Sequence, residues 1–339
     1  PEGRGVVSTA SYEARPYGVH SAMPSAQAKR LCPHAIWTSG HFDRYREMSA
    51  KVMDILADET PFVDQVSIDE AFFDITPGRF SRENPIDIAS RISRRVSELG
   101  ITCSIGLGTS KTVAKIASDR DKPHGLTIVP PGTEENFLEP LPVRAMSGIG
   151  TSAETSLKRM GIYTLGQLAA APVARLVTVF GTNAQLMHDR AAGLEVSGVA
   201  PIDAPEETKS VSNEHTFAQD LTERDDIDAA LALLGESVGR RLRRRGLAGR
   251  TVTVKVKYSY GSGRTIQRRL PHATDDENIF VSVARSLMDE IWTEGMHIRL
   301  LGIGMSDFRC DGDVQTDLFC EVDERGAVAS SKRELTAFS

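Results

Sequence analysis

No apolar run in this 339-residue chain is long enough to cross a membrane, and no basic, apolar and small-residue leader opens it. The expectation is a cytoplasmic globular protein. Cysteine is scarce: Cys32, Cys103, Cys310 and Cys320 form no Cys-x-x-Cys pair, which excludes a disulfide framework and a zinc site and leaves reduced thiols. The eight histidines fall in no metal-ligand spacing. With 40 basic and 46 acidic residues the net charge is -6, which by itself argues against a nucleic-acid binder. A local absence argues the other way. From Gly239 to Ala273 there is no Asp or Glu, while Arg240, Arg241, Arg243, Arg244, Arg245, Arg250, Lys255, Lys257, Arg264, Arg268 and Arg269 all fall there. A stripe this basic on an acidic chain has the footprint of phosphate contacts.

The length suggests about two to four domains. The most informative stretch is Val66-Ser67-Ile68-Asp69-Glu70-Ala71-Phe72-Phe73-Asp74, where adjacent carboxylates separate apolar runs expected as strands over 62–68 and 71–75. Neighbouring side chains on a flat strand point to opposite faces, so one site can use both acids only if the backbone turns between them. Carboxylates brought together repel unless a cation lies between them, and hard oxygen ligands suit Mg²⁺. A solvated acidic hairpin tip accounts for the same residues.

Residues 6–33 are polar and basic, with a break at Gly18 and a helix expected over 25–31. Tyr12 and Arg15 share a face on a helical turn, as a surface pair or as a phosphate holder with the guanidinium fork. Tyr45, Met48, Val52 and Ile55 or Leu56 predict an amphipathic helix over 41–57, and Ile88, Ile92 and Val96 another over 86–99, ended by Gly100. A strand is expected over 101–107. Helix, two strands, helix and strand in that order predict helices on one face of a mostly antiparallel sheet. Gly106 to Thr112 lies at a strand-to-helix transition, but a phosphate-binding loop needs Gly where Ser110 precedes Lys111. A plain turn is expected, with Ala114, Ile116 and Ala117 inward. Lys122, in Asp121-Lys122-Pro123-His124-Gly125, is either a solvated cap or a phosphate ligand.

Residues 130–142, rich in proline and acid, are expected as a linker. Gly148-Ile149-Gly150 precedes a helix up to Met160, and Thr164 caps the next. This fits either a helix-hairpin-helix, whose amides hold a phosphate without reading sequence, or a bare helical corner within a module over 143–193. After a second linker over 198–207, Ile227, Leu231, Leu234, Val238 and Leu242 predict a helix that opens the last domain. Thr251 to Tyr258 alternates without fault, with Val252, Val254, Val256 and Tyr258 on one face and Thr251, Thr253, Lys255 and Lys257 on the other. A turn leads into 264–270, which carries Arg264 and Arg268. Thr274 to Glu277 reads as a capping box for a helix through Trp292 with Ile279, Val283, Leu287 and Ile291 aligned, and a last strand covers 299–308. Helices on one face leave the other for a groove or a nucleic-acid backbone. The tail after Asp311 has no apolar period and is expected to be disordered. Within it, Gln315-Thr316-Asp317-Leu318-Phe319 is either a short docking motif or bland tail.

Taken together, these residues resemble the DinB-type Y-family translesion DNA polymerases over nearly the whole chain. Gly5 to Arg15 is similar to the family's fingers motif and Ser67 to Ala71 to its palm metal motif. Ser104-Ile105-Gly106, Lys111 to Ala117, Asp121-Lys122-Pro123, Gly148-Ile149-Gly150 and Pro271-His272 follow in order. The resemblance implies an α+β multidomain right-hand polymerase: fingers over 1–40, palm over 41–137, a helical thumb with a helix-hairpin-helix over 138–200, a linker over 201–208, an α/β little finger over 209–310 and a tail over 311–339. It implies two Mg²⁺ ions held by Asp69 and Glu70, and an incoming triphosphate held by Thr9, Tyr12, Arg15 and Lys122 under a roof of Val6 and Ser8. It further implies primer-template DNA contacted by Gly148, Gly150, Arg240, Arg241, Lys255, Lys257, Arg264 and Arg268, a sliding clamp contacted by Gln315, Leu318 and Phe319, and a monomer.

The chain opens on Pro1, not methionine, and enters at once on Gly3 to Val7. In the family a preceding strand brings a metal-bridging aspartate and an aromatic residue that rejects ribonucleotides, so an upstream cut is expected. The alternative is a catalytically incomplete relative that occupies primer ends or the clamp without extending DNA. A nucleotide hydrolase is disfavoured by the defective phosphate loop.

Overall fold

The computed structural model describes residues 3–204, 208–259 and 261–308. The chain divides into two compact units, one of residues 39–205 and one of residues 1–38 with 206–339. None of the helices among the described residues is long and apolar enough to cross a membrane.

In the N-terminal part of the second unit, the stretch before helix α1 (Ser25–Leu31) folds back on Val7. The Val7 amide donates to Met23 O and its carbonyl accepts from Ala22 N, both at 2.8 Å. Val7, Val19, Met23, Ala28 and Cys32 close a small core. Because neighbours on an extended chain alternate, Val6 and Ser8 are left exposed on either side of buried Val7. Cys32 and Cys103 are free thiols, and burial pushes the Cys103 thiol up in pKa; Cys310 and Cys320 lie outside the described residues.

Residues 39–205 begin with α2 (Phe42–Glu59), β1 (Val63–Gln65) and β2 (Ala71–Phe73). Next come α3 (Pro85–Glu98), β3 (Ile105–Leu107), α4 (Lys111–Arg120) and β4 (Leu126–Ile128). The apolar stripes of α2 and α3 meet: Ile55, Leu56, Val63, Ile88, Ala89, Ile92, Val96 and Ile105 form one core. Arg91 clamps α3 to α2 with bonds of 2.9 and 2.6 Å to Glu59, whose carboxyl this guanidinium holds below the usual range. One mostly antiparallel sheet does not form. β1 and β2 pair antiparallel, whereas β3 and β4 pair parallel as a separate sheet, because helix α4 crosses over between them. With three residues, β4 is too short to register as a period, and β3 is shorter than the 101–107 run.

Helix α4 sits hard against β3, since a Cβ on Gly106 would meet Ala114 O at 1.9 Å and Ser118 N at 2.4 Å. Its first amides are already satisfied. Lys111 N–H donates to Ser197 Oγ at 3.0 Å, Thr112 N–H to Glu195 Oε2 at 3.0 Å and Val113 N–H to Ser110 Oγ at 3.3 Å. These are the donors that a phosphate loop would offer its ligand, so the plain-turn reading holds. Burial pushes the Glu195 carboxyl up, but the bond from Thr112 and the Arg190 guanidinium outweigh it and hold the group below its usual range.

The expected linker over 130–142 contains a helix, α5 (Glu134–Leu138), whose Leu138 is fully buried. Proline and acid at its ends mask an apolar Phe137-Leu138 contact that only the neighbouring helices reveal. Four more helices follow: α6 (Thr151–Arg159), α7 (Leu165–Ala169), α8 (Val173–Phe180) and α9 (Asn183–Ala191). Thr164 and Gln167 form a full capping box on α7. Leu157, Leu165, Leu168 and Leu176 share their core with Val113, Ile116 and Ala117 of α4. Helix α4 is therefore wedged between strand β3 and the helical module.

The C-terminal part of the second unit opens with a strand that periodicity did not anticipate, β5 (Ser210–Leu221). It is an edge strand with polar residues on both faces and only Val211 buried, so it carries no alternation to read. Then come α10 (Arg224–Arg245), β6 (Gly249–Tyr258), β7 (Gly263–Thr274), α11 (Glu277–Ile291) and β8 (Ile298–Phe308). The sheet order is β5-β8-β6-β7, antiparallel throughout. Val252, Val254 and Val256, with Leu301, Ile303 and Met305, pack against α10 and α11. Tyr258 Oη donates to Ile291 O at 2.5 Å, which satisfies a buried hydroxyl. The inward stripe of α11 is Phe280, Ala284, Leu287, Met288 and Ile291, and Ile279 is exposed. Its N-cap is Asp276, which accepts from Asn278 N–H at 2.9 Å, and not Thr274. Thr274 instead accepts from Asp276 N–H at 3.0 Å, one step upstream.

Candidate active site

Strands β1 and β2 form a hairpin in the register Val63↔Phe73, Asp64↔Phe72 and Gln65↔Ala71, so residues 66–70 are its loop. The amides of Val66 and Ser67 both donate to Glu70 O, at 3.0 and 3.1 Å, which turns the backbone sharply. Gln65 Nε2 holds the loop from below through Ser67 O at 3.0 Å and Ser49 Oγ of α2 at 3.2 Å. Asp69 and Glu70 thus leave a turn, not a flat strand, as a shared site requires. Ser67 Oγ donates to Asp69 Oδ1 at 2.6 Å and accepts from Asp69 N–H at 3.2 Å, which fixes that exposed carboxylate.

Sequence reasoning gave no role to Lys111 or Lys115. They lie one turn apart on α4, so both side chains reach the same way, toward the hairpin. Lys115 Nζ meets Glu70 Oε2 at 2.7 Å, and Lys111 Nζ pairs with Asp64 Oδ2 and stands 5.5 Å from the Phe72 ring. The i, i+4 lysine pair on the first turns of α4, beside buried Val113, Ile116 and Ala117, was the available signal. Each ammonium group neutralises one hairpin carboxylate, Lys115 that of Glu70 and Lys111 that of Asp64.

No group of three or more metal-capable side chains occurs among the described residues. Asp69 and Glu70 therefore do not make an all-protein cage. They do fit Mg²⁺, which keeps waters and takes one or two carboxylates together with substrate phosphates.

Lys122 lies in the turn from α4 to β4. Its Nζ meets Asp119 Oδ1 at 2.6 Å, while Asp121 accepts from Thr127 Oγ at 2.8 Å. The turn closes so tightly that a Cβ on Gly125 would meet Asp121 O at 2.2 Å. In the other unit, a turn brings the Arg15 guanidinium over the Tyr12 ring, 4.0 Å from its centroid, and Arg15 Nε donates to Ala10 O at 3.2 Å. The same-face expectation is met as a cation–π pair. Thr9, Tyr12 and Arg15 are exposed, as are Val6 and Ser8.

Gly148 and Gly150 are exposed around buried Ile149. Gly148 has φ +95°, in the region glycine tolerates, and Gly150 is the N-cap of α6 with no side-chain cap, so the helix presents its first amides outward.

The basic stripe is not one surface. Lys255 and Lys257 lie on the open face of the sheet, opposite the buried valines. Arg264 and Arg268 pair in register with Val256 and Val252, so they belong to the helix side of the edge strand, where Arg268 reaches Glu290 and Ser286 of α11. The pleat puts Arg269 on the open face instead, opposite Thr251. Arg240 and Arg241 are on α10, which covers the other face; Arg240 lies 3.6 Å from Glu236, and Arg241 donates to Ser212 O at 2.7 Å. Gln315, Leu318 and Phe319 lie outside the described residues.

Comparison with known proteins accounts for this arrangement. The chain has the fold of the Y-family DNA polymerases, with palm, fingers, thumb and little-finger domains: a Y-family DNA polymerase chimera of Dbh and Dpo4 matches with a TM-score of 0.79 at 23% identity, covering 91% of this chain and 89% of that one. The impB/mucB/samB family matches residues 1–119 and its C-terminal domain residues 208–318. The DNA polymerase IV of Dehalococcoides mccartyi is 41% identical over 94% of this chain and 81% of its own length, and that of Moorella thermoacetica is 36% identical over 95% and 80%. The chain belongs to the DinB-type Y-family of DNA-directed DNA polymerases.

Proposed function

We propose that the chain extends a DNA primer on a template by nucleotidyl transfer of the damage-tolerant type, with two Mg²⁺ ions. The observation that carries this reading is the turn that lifts Asp69 and Glu70 together, with Lys115 and Lys111 aligned behind them. In the reaction the primer 3′-hydroxyl oxygen bonds to the α-phosphorus of a deoxynucleoside triphosphate. The bond to the β-phosphate oxygen breaks, and pyrophosphate leaves. Bound Mg²⁺ supplies charge neutralisation and favours ionisation of the 3′-hydroxyl. Asp69 and Glu70 hold it, Ser67 orients Asp69, and Lys122 and the Arg15 fork supply cations for the triphosphate, with Thr9 and Tyr12 as further donors. Val6 and Ser8 present the exposed surface suited to roof the nascent pair.

In this reading residues 1–40 are fingers, 41–137 palm, 138–200 thumb and 209–310 little finger. Gly148, Gly150, Lys255 and Lys257 track the primer-template backbone, and the protein acts as a cytoplasmic monomer. Primer extension by the full chain should require Mg²⁺ and stop in EDTA, on plain and lesion-bearing templates alike. Extension that persists in EDTA, or none with Mg²⁺, would overturn the proposal. The motif Gln315 to Phe319 is assigned to a sliding clamp. Replacing Leu318 and Phe319 by Ala should leave extension by the isolated protein unchanged and remove stimulation by the clamp; loss of basal extension would mean that the pair packs in a core.

A further inference from the structure

The open face of the C-terminal sheet carries acid among its cations. Glu214 of β5 and Lys255 of β6 both pair in register with Gly302 of β8, one from each side. A Cβ on Gly302 would come within 2.8 Å of Glu214 Cβ, so glycine keeps the intervening strand low. Across it Lys255 Nζ meets Glu214 Oε2 at 2.6 Å, with both side chains more than two-fifths exposed. Nearby, Arg269 is paired with Asp307 at 3.0 Å. Lys257, on the same face, has no acidic partner among the described residues.

We propose that Glu214 is a built-in competitor for a DNA backbone phosphate: it holds Lys255 in the free protein, and docking of duplex exchanges its carboxylate for a phosphate oxygen. This rests on the reading of the open face as the duplex surface. An exposed ion pair is screened by solvent and held only weakly, so the exchange is accessible at ordinary ionic strength. The exchange has a cost. Once Lys255 turns to a phosphate, Glu214 is left as an uncompensated carboxylate beside a polyanion. Glu214 therefore weakens duplex binding without contributing a contact.

The test is fluorescence anisotropy of the full chain on a labelled primer-template duplex over a range of KCl concentrations. Glu214→Gln should tighten binding on the order of three- to ten-fold with the slope of log K against log salt unchanged, because the same phosphates are neutralised in the complex. Lys255→Gln should weaken binding and reduce that slope by about one. In the Lys255→Gln background, Glu214→Gln should gain clearly less than in wild type, because the ion pair is already gone and only the repulsion between carboxylate and phosphate is left to remove. Unchanged affinity in Glu214→Gln, or a gain that persists in full without Lys255, would overturn the exchange and leave only long-range repulsion. If wild type and Lys257→Gln bind the duplex with the same affinity and slope, the duplex reading of this face falls, and the exchange with it.

Discussion

Asp69→Ala should lower primer extension by about a thousand-fold or more, close to 4 kcal/mol of transition-state stabilisation, while the dissociation constant for duplex stays within about two-fold. The loop geometry is the reason. Asp69 is exposed and bonded only to Ser67, so its side chain supports no core and its removal leaves the hairpin register intact. On the proposed reading, what goes is half of the carboxylate pair that would hold a divalent cation between the loop and the substrate phosphates. Removing a negative charge beside a polyanion cannot weaken duplex binding by electrostatics. Ser67→Ala is the graded control: it removes the hydroxyl that orients Asp69 at 2.6 Å but leaves the carboxylate, so a loss of several-fold is expected. The measurements are single-turnover extension and duplex anisotropy on the same samples. Parallel loss of binding and extension in Asp69→Ala would contradict a metal role.

Gly106→Ala should destabilise the unit of residues 39–205 by about 3 kcal/mol or more, or prevent its folding. The added Cβ would fall 1.9 Å from Ala114 O and 2.4 Å from Ser118 N, both backbone atoms of α4, so no rotamer change relieves it. Relief requires α4 to move away from β3. That helix also seats the thumb-side core through Val113, Ile116 and Ala117 and carries Lys111 and Lys115 to the hairpin acids. Stability and extension should therefore fall together. At about 2–4 °C per kcal/mol for a unit of this size, the melting temperature should drop by about 6 °C or more in a thermal scan. Gly150→Ala is the contrast, since its Cβ meets nothing within 4 Å, and its melting temperature should stay within about 1–2 °C of wild type. A Gly106→Ala protein that melts with the wild type would refute the close packing.

The sequence was most legible where one element decides its own conformation. The stripe of Ile227, Leu231, Leu234, Val238 and Leu242 is buried as read, and so are Val252, Val254, Val256 and Tyr258, because helical and strand periods are local. The turn between Asp69 and Glu70 was inferred from the demand that both acids serve one site, and the hairpin supplies it. Reading failed where a neighbour decides. Strand β5 is an edge that meets the core only through Val211, Phe217 and Leu221, with polar residues between them, α5 is a helix because its Leu138 has a core to enter, and β3 and β4 are parallel because a helix intervenes.

Composition and motif order by themselves determined the family, the acidic pair, the basic region and the long periodic helices and strands, all of which are written in types and spacings along one chain. Only the tertiary structure decided which charges meet. It assigned Lys115 to Glu70, Lys111 to Asp64 and Lys255 to Glu214, and it split the arginine stripe between two faces of one sheet. The physical reason is that a side chain's partner is set by register and packing across elements, and a one-residue change of register turns every side chain of a strand to the opposite face.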